Sequence, residues 1–138
     1  MTFHEIIPYI LLIEDNENDV EIVKSALSEQ LILCNLITLK DGENAINYFR
    51  DVKNAIPDLI LLNLSLPKLN GLEVLKSLRS NIKLNDVPII ILTSSDRSKD
   101  LSEIYTLGAN EVIKKSSDSD EFKESLKNID VFWLIKIS

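Results

Sequence analysis

Short, uninterrupted apolar runs alternate along this chain with stretches where apolar residues recur every three or four positions. Tyr9-Ile10-Leu11-Leu12-Ile13 contains no charged residue, the pattern of a strand buried on both faces. Over 18–29, Val20, Val23 and Leu27 share one helical face. The spacing then predicts a strand over 31–39, broken by Asp41-Gly42, and a helix striped by Ala45, Phe49 and Val52. A third buried strand is predicted over 58–62 and a turn over 67–71, followed by a helix carrying Leu72, Leu75, Leu78 and Ile82 inward. A strand over 87–92 and a helix striped by Leu101, Ile104 and Leu107 come next. The chain closes with a short strand over 111–113 and a long helix from about Asp118, with Phe122, Leu126, Ile129 and Trp133 inward. Ser117 to Glu121 supply hydroxyls and carboxylates suited to that helix's first turn. Five strands and five helices in strict alternation predict an α/β fold, a doubly wound five-stranded parallel sheet in three layers, α/β/α. Such sheets place their sites at the carboxyl ends of the strands, near the point where strand order reverses.

Composition narrows the class. The 138 residues suit one domain over 1–138, with about two-thirds of the chain surface buried on folding. Forty-five per cent hydrophobic and 27% charged residues exclude a disordered or low-complexity chain. The formal charge of −7 argues against a nucleic-acid-binding face, and no apolar run reaches membrane-spanning length. No signal peptide is apparent, so a soluble cytoplasmic domain is expected. A lone cysteine, Cys34, excludes a disulfide framework and is read as a small strand residue, and His4 is given no role.

The predicted strand ends carry the candidate chemistry. Strand one ends in Glu14-Asp15, strand three in Asn63, strand four in Thr93-Ser94 and strand five in Lys114-Lys115. Each has a plainer role alone: the acids can cap the first helix, Thr93 can close a turn and Lys115 can be a solvated charge. Their arrival together at four strand ends is harder to explain as capping. Hard oxygen donors beside a hydroxyl and an ammonium suit Mg²⁺ with a phosphoryl group.

Ile10-Leu11-Leu12-Ile13-Glu14-Asp15-Asn16, the run from Pro57 through Asn63 to Pro67, Gly71, Pro88-Ile89-Ile90-Ile91-Leu92-Thr93 and Lys115 resemble the receiver domain of two-component response regulators, a flavodoxin-like fold. The likeness covers essentially the whole chain, and the gaps of 30 residues from 63 to 93 and 22 from 93 to 115 fit it. Asp15-Asn16-Glu17-Asn18-Asp19, Lys115-Ser116 and Phe132-Trp133-Leu134 look most like the stand-alone regulators that partner cyanobacterial-type phytochromes. The resemblance implies a phosphorelay signalling domain without an output domain, not an enzyme. Its partner would be a sensor histidine kinase, of phytochrome type under the narrower likeness. It also implies a metal set of Glu14, Asp15 and the Ser65 main-chain carbonyl for Mg²⁺, phosphoryl binding by Thr93 and Lys115, and docking through helix four, strand five and helix five.

The pattern breaks at the acceptor, where the family's aspartate is Asn63. A carboxylate can form an acyl phosphate and a neutral carboxamide cannot do so usefully, so phosphorylation is expected to be lost. With one charge fewer, Asn63 would be a weak ligand, Mg²⁺ binding weaker and Lys115 left with fewer partners. A natural pseudo-receiver and an introduced substitution that fixes the unmodified state account for Asn63 equally. The family's switch aromatic is Val112 here, which puts the usual hydroxyl–aromatic coupling in doubt, with Tyr105 a packing residue or a substitute. Phe132, Trp133 and Leu134 are too apolar for a solvated helix end and suggest a symmetric homodimer through the last two helices and strand five. A phosphorylation-independent interaction module fits Asn63. A small phosphate- or flavin-binding enzyme is disfavoured by only three glycines, and a phosphohydrolase by Asn63 and Ser65 where it would need two aspartates.

Overall fold

The computed structural model describes residues 7–30, 33–66, 69–94 and 101–128. Five strands, β1 (Tyr9–Ile13), β2 (Asn35–Leu39), β3 (Leu59–Asn63), β4 (Ile89–Thr93) and β5 (Glu111–Lys114), alternate with five helices. These are α1 (Glu17–Glu29), α2 (Gly42–Arg50), α3 (Gly71–Arg79), α4 (Leu101–Thr106) and α5 (Ser119–Lys127), with a 3-10 turn at Ile82–Leu84. All strand pairs are parallel, in the order β2-β1-β3-β4-β5. The expected five-stranded, three-layer architecture is therefore present.

The two-residue period of each strand builds the layers. Ile10, Leu12, Leu59, Leu61, Ile90, Leu92 and Ile113 face Val23 and Ala26 of α1 and Phe122 and Leu126 of α5. The alternate residues Leu11, Ile13, Ile60, Leu62, Ile89 and Ile91 face Ala45 of α2, Val74, Leu75 and Leu78 of α3 and Ile104 of α4. Both faces are covered, which is why β1, β3 and β4 read as continuous apolar runs. Each fully buried Leu or Ile contributes about 1.5–3 kcal/mol.

Three expected elements end differently. The strand expected over 31–39 begins only at Asn35, because β2 is an edge strand paired residue for residue with β1. Its ladder stops where Asn35 N–H donates to the Pro8 carbonyl (2.8 Å), since Pro8 has no N–H to continue it. Cys34 accordingly precedes the strand. The second helix stops at Arg50: the Asp51 side chain accepts from Lys53 N–H (2.9 Å), turning the backbone and leaving Val52 77% exposed. The third stops at Arg79, where the Asn81 side chain takes Lys83 N–H (3.1 Å) and opens the 3-10 turn. Ile82 is then 82% exposed and Leu84 fills the core instead. Ile129, Phe132, Trp133, Leu134 and the expected dimer patch lie outside the described residues, as do Pro67 and His4.

Arg79 closes the amino-terminal end of the sheet. Its Nε donates to Gly108 O (2.9 Å), Nη1 to Leu84 O (2.7 Å) and Nη2 to Asn110 Oδ1 (2.8 Å), which also accepts from Ile89 N–H (2.9 Å). Gly108 has φ 110°, and a Cβ there would lie 2.7 Å from Arg79 Cγ.

Candidate functional site

At the opposite end of the sheet, the strands deliver their last residues to one rim. Glu14 continues β1 by one residue, its N–H donating to Leu39 O (2.9 Å). The cap of α1 is Asn16, whose side chain accepts from Asp19 N–H (3.1 Å), so neither Glu14 nor Asp15 is occupied in capping. Asn63 ends β3 buried among β1 and β4. The loop that follows is held by Leu64 N–H on Leu92 O (2.8 Å) and Gly71 N–H on Leu64 O (2.9 Å). Gly71 is required there, because a Cβ would sit 2.5 Å from the Leu64 backbone. Thr93 ends β4 buried, and Lys115 follows β5 with its N–H on Thr93 O (2.7 Å).

The side chains meet as a hydrogen-bonded set. Asn63 Nδ2 donates to Glu14 Oε1 (2.8 Å), Asp15 Oδ1 (3.0 Å) and the Ser65 carbonyl (3.1 Å). Asn63 Oδ1 accepts from Ser65 N–H (3.0 Å). Lys115 Nζ donates to Glu14 Oε2 (2.6 Å) and Asp19 Oδ2 (2.9 Å). Glu14, its side chain wholly buried, also accepts from Asn16 N–H (3.2 Å). Burial pushes the Glu14 carboxyl above its ordinary pKa, and the Lys115 ammonium opposes that shift.

Glu14, Asp15, Asn63, Ser65 and Lys115 are thus brought together, with Thr93 joined to them through the Lys115 backbone. Val112 lies one strand further out, half-buried against the α4 side and paired with Ile91. Lys115 is held by two carboxylates, those of Glu14 and Asp19, and not by Asn63. Asp19 supplies the second carboxylate, and it was missed in the sequence because it sits on α1. Its signal was its place one helical turn beyond Asp15, which returns it to the same rim.

The donor set can be tested against Mg²⁺. Two carboxylates, a carbonyl and an amide oxygen are hard ligands of the right kind. In this arrangement, however, three of those oxygens converge on a nitrogen, and the amide oxygen points away to Ser65 N–H. Among the described residues no group of three or more His, Cys, Asp and Glu side chains is placed to hold a metal ion. The donors are of the kind that suits the cation, but as arranged three of them are turned to the Asn63 amide nitrogen.

A doubly wound parallel sheet with acids, a buried acceptor position, a hydroxyl and a lysine along its carboxyl rim defines a receiver-type signalling domain. The response regulator receiver domain family matches residues 10–127, and the chain belongs to that family. It is 35% identical over 129 residues to the response regulator Rcp1 of Synechocystis sp., covering 91% of this chain and 88% of that protein. Among solved structures it is similar to the phosphorylated cyanobacterial phytochrome response regulator RcpA, with 34% identity, TM-score 0.86 and coverage of 96% and 97% of the two chains. It is also similar to the Mn²⁺-bound form of Rcp1, with 32% identity, TM-score 0.85 and coverage of 95% and 97%. The chain is therefore a receiver domain of two-component signalling with phytochrome response regulators among its relatives. No helix among the described residues is long and apolar enough to cross a membrane.

Proposed function

We propose that this receiver signals by docking to protein partners and does not itself accept a phosphoryl group. One observation carries the reading: the acceptor position is a buried carboxamide with both polar atoms engaged, Nδ2 by Glu14, Asp15 and Ser65 and Oδ1 by Ser65 N–H. A neutral amide held this way offers no nucleophilic oxygen to a phosphodonor. Under this reading Glu14, Asp15 and the Ser65 carbonyl form the metal side of the rim, with Mg²⁺ binding weakened by Asn63. Thr93 and Lys115 form its phosphoryl side, and Val112 marks the switch position. Output runs through the face of α4, β5 and α5, where Tyr105 and Leu101 are exposed. Partners of this reading are a histidine kinase of the phytochrome type, in keeping with the relatives' names, and a second copy meeting through Phe132, Trp133 and Leu134.

The test is to incubate the protein with a small phosphodonor and Mg²⁺ and weigh the intact chain. No mass gain is expected for Asn63, and a gain of one phosphoryl group is expected for Asn63→Asp. A phosphoryl adduct on the unaltered chain overturns the reading.

A further inference from the structure

We infer that the Asn63 carboxamide stands in for a divalent cation: its NH₂ group binds together the oxygens that a metal would otherwise collect, and so makes the rim self-sufficient without metal. The inference deepens the reading of this site as one with weakened metal binding, and rests on it.

The argument is geometric. Nδ2 lies 2.8, 3.0 and 3.1 Å from Glu14 Oε1, Asp15 Oδ1 and the Ser65 carbonyl oxygen, two from the segment after β1 and one from the segment after β3. Two amide protons are thereby shared among three acceptors, two of them anionic, which makes these charge-assisted bonds. The orientation of the amide is fixed by its other end. Ser65 N–H donates to Oδ1 at 3.0 Å, so turning the group over would set N–H against N–H. It would also set the amide oxygen against two carboxylate oxygens. A cation entering the rim must therefore displace or invert the amide and forfeit four hydrogen bonds, whereas simple loss of one negative charge would leave the position open. These two accounts differ in what removal of the amide does. If Asn63 merely lacks charge, Asn63→Ala binds metal no better. If Asn63 occupies the metal's place, Asn63→Ala removes the competitor and metal binding improves.

The experiment titrates Mn²⁺ into the unaltered protein and Asn63→Ala, read by calorimetry or by the electron paramagnetic resonance signal of free Mn²⁺, with melting temperatures measured in chelator and in Mg²⁺. Asn63→Ala is expected to bind Mn²⁺ about tenfold more tightly than the unaltered chain. It should melt lower in chelator and regain the difference in Mg²⁺, while the unaltered protein melts alike in both. Equal or weaker Mn²⁺ binding by Asn63→Ala overturns the inference. Should Asn63→Ala not fold even with Mg²⁺, Asn63→Ser is read by the same two outcomes. Failure of the underlying reading registers separately, as Mn²⁺ binding by the unaltered chain equal to that of Asn63→Asp.

Discussion

Replacing Lys115 by methionine isolates the electrostatic centre of the rim. The substitution keeps the aliphatic stem and removes the ammonium that lies 2.6 Å from Glu14 Oε2 and 2.9 Å from Asp19 Oδ2. The Lys115 and Glu14 side chains are 9% and 0% exposed, so water cannot replace the lost partner. Removing one member of a buried pair typically costs about 3–5 kcal/mol. Glu14 Oε1 keeps the Asn63 and Asn16 donors and Asp19 reaches water, which places the cost near the lower end, about 3 kcal/mol at neutral pH. Unfolding entropy of about 2.1 cal/mol/K per residue over this chain converts that into a fall of about 10 °C in melting temperature.

The penalty must also depend on pH. Burial already raises the Glu14 pKa, and Lys115 holds it down, so the variant raises it further. A carboxyl whose folded-state pKa is raised contributes stability that is present at low pH and lost as pH rises through that value. The gap between variant and unaltered protein is therefore widest at pH 7–8 and narrows toward pH 5. Urea unfolding followed by circular dichroism across this range measures it, and Glu14→Gln in the same background should recover most of the loss. A gap that is constant with pH, or below about 1 kcal/mol at pH 7.5, would refute this account of the rim.

Gly71→Ala drives a Cβ to 2.5 Å from the Leu64 backbone, so thermal unfolding should show a loss of about 3 kcal/mol or more and a displaced β3–α3 loop. Glu29, drawn down to about 2 by hydrogen bonds from Lys123 and Lys127 of α5, contributes stability that is full above its ordinary pKa of 4.5 and lost as pH falls toward 2. Glu29→Gln should flatten the acid limb of the stability curve in low salt and have little effect in high salt, because the group is exposed.

The sheet was legible because burial on both faces leaves an unmistakable record: Tyr9–Ile13, Leu59–Leu62 and Ile89–Leu92 could hardly be anything but inner strands. The edge strand carries no such record. Its start depends on Pro8 of a neighbouring segment, not on its own residues. Val52 and Ile82 continue an apolar spacing past helices already ended by Asp51 and Asn81, since local side-chain bonds to the backbone outcompete periodicity. At the rim, Glu14, Asp15, Asn63, Thr93 and Lys115 were each placed by a strand end. Asp19 was not, because its approach to Lys115 follows from how α1 leaves β1. The direction of the Asn63 amide is equally invisible in one dimension, being set by the Ser65 N–H.

Arg79 and the carboxamide at position 63 belong to opposite poles of the molecule. The guanidinium ties the last turn of α3 to the backbone before β4 and the bend before β5, far from any strand's carboxyl end. Anchorage and chemistry are therefore separable properties of this domain. A lineage or an experimenter can rewrite the reactive pole one residue at a time, to silence it or to give it a different ligand, while the stitching at the other pole keeps the strands in register.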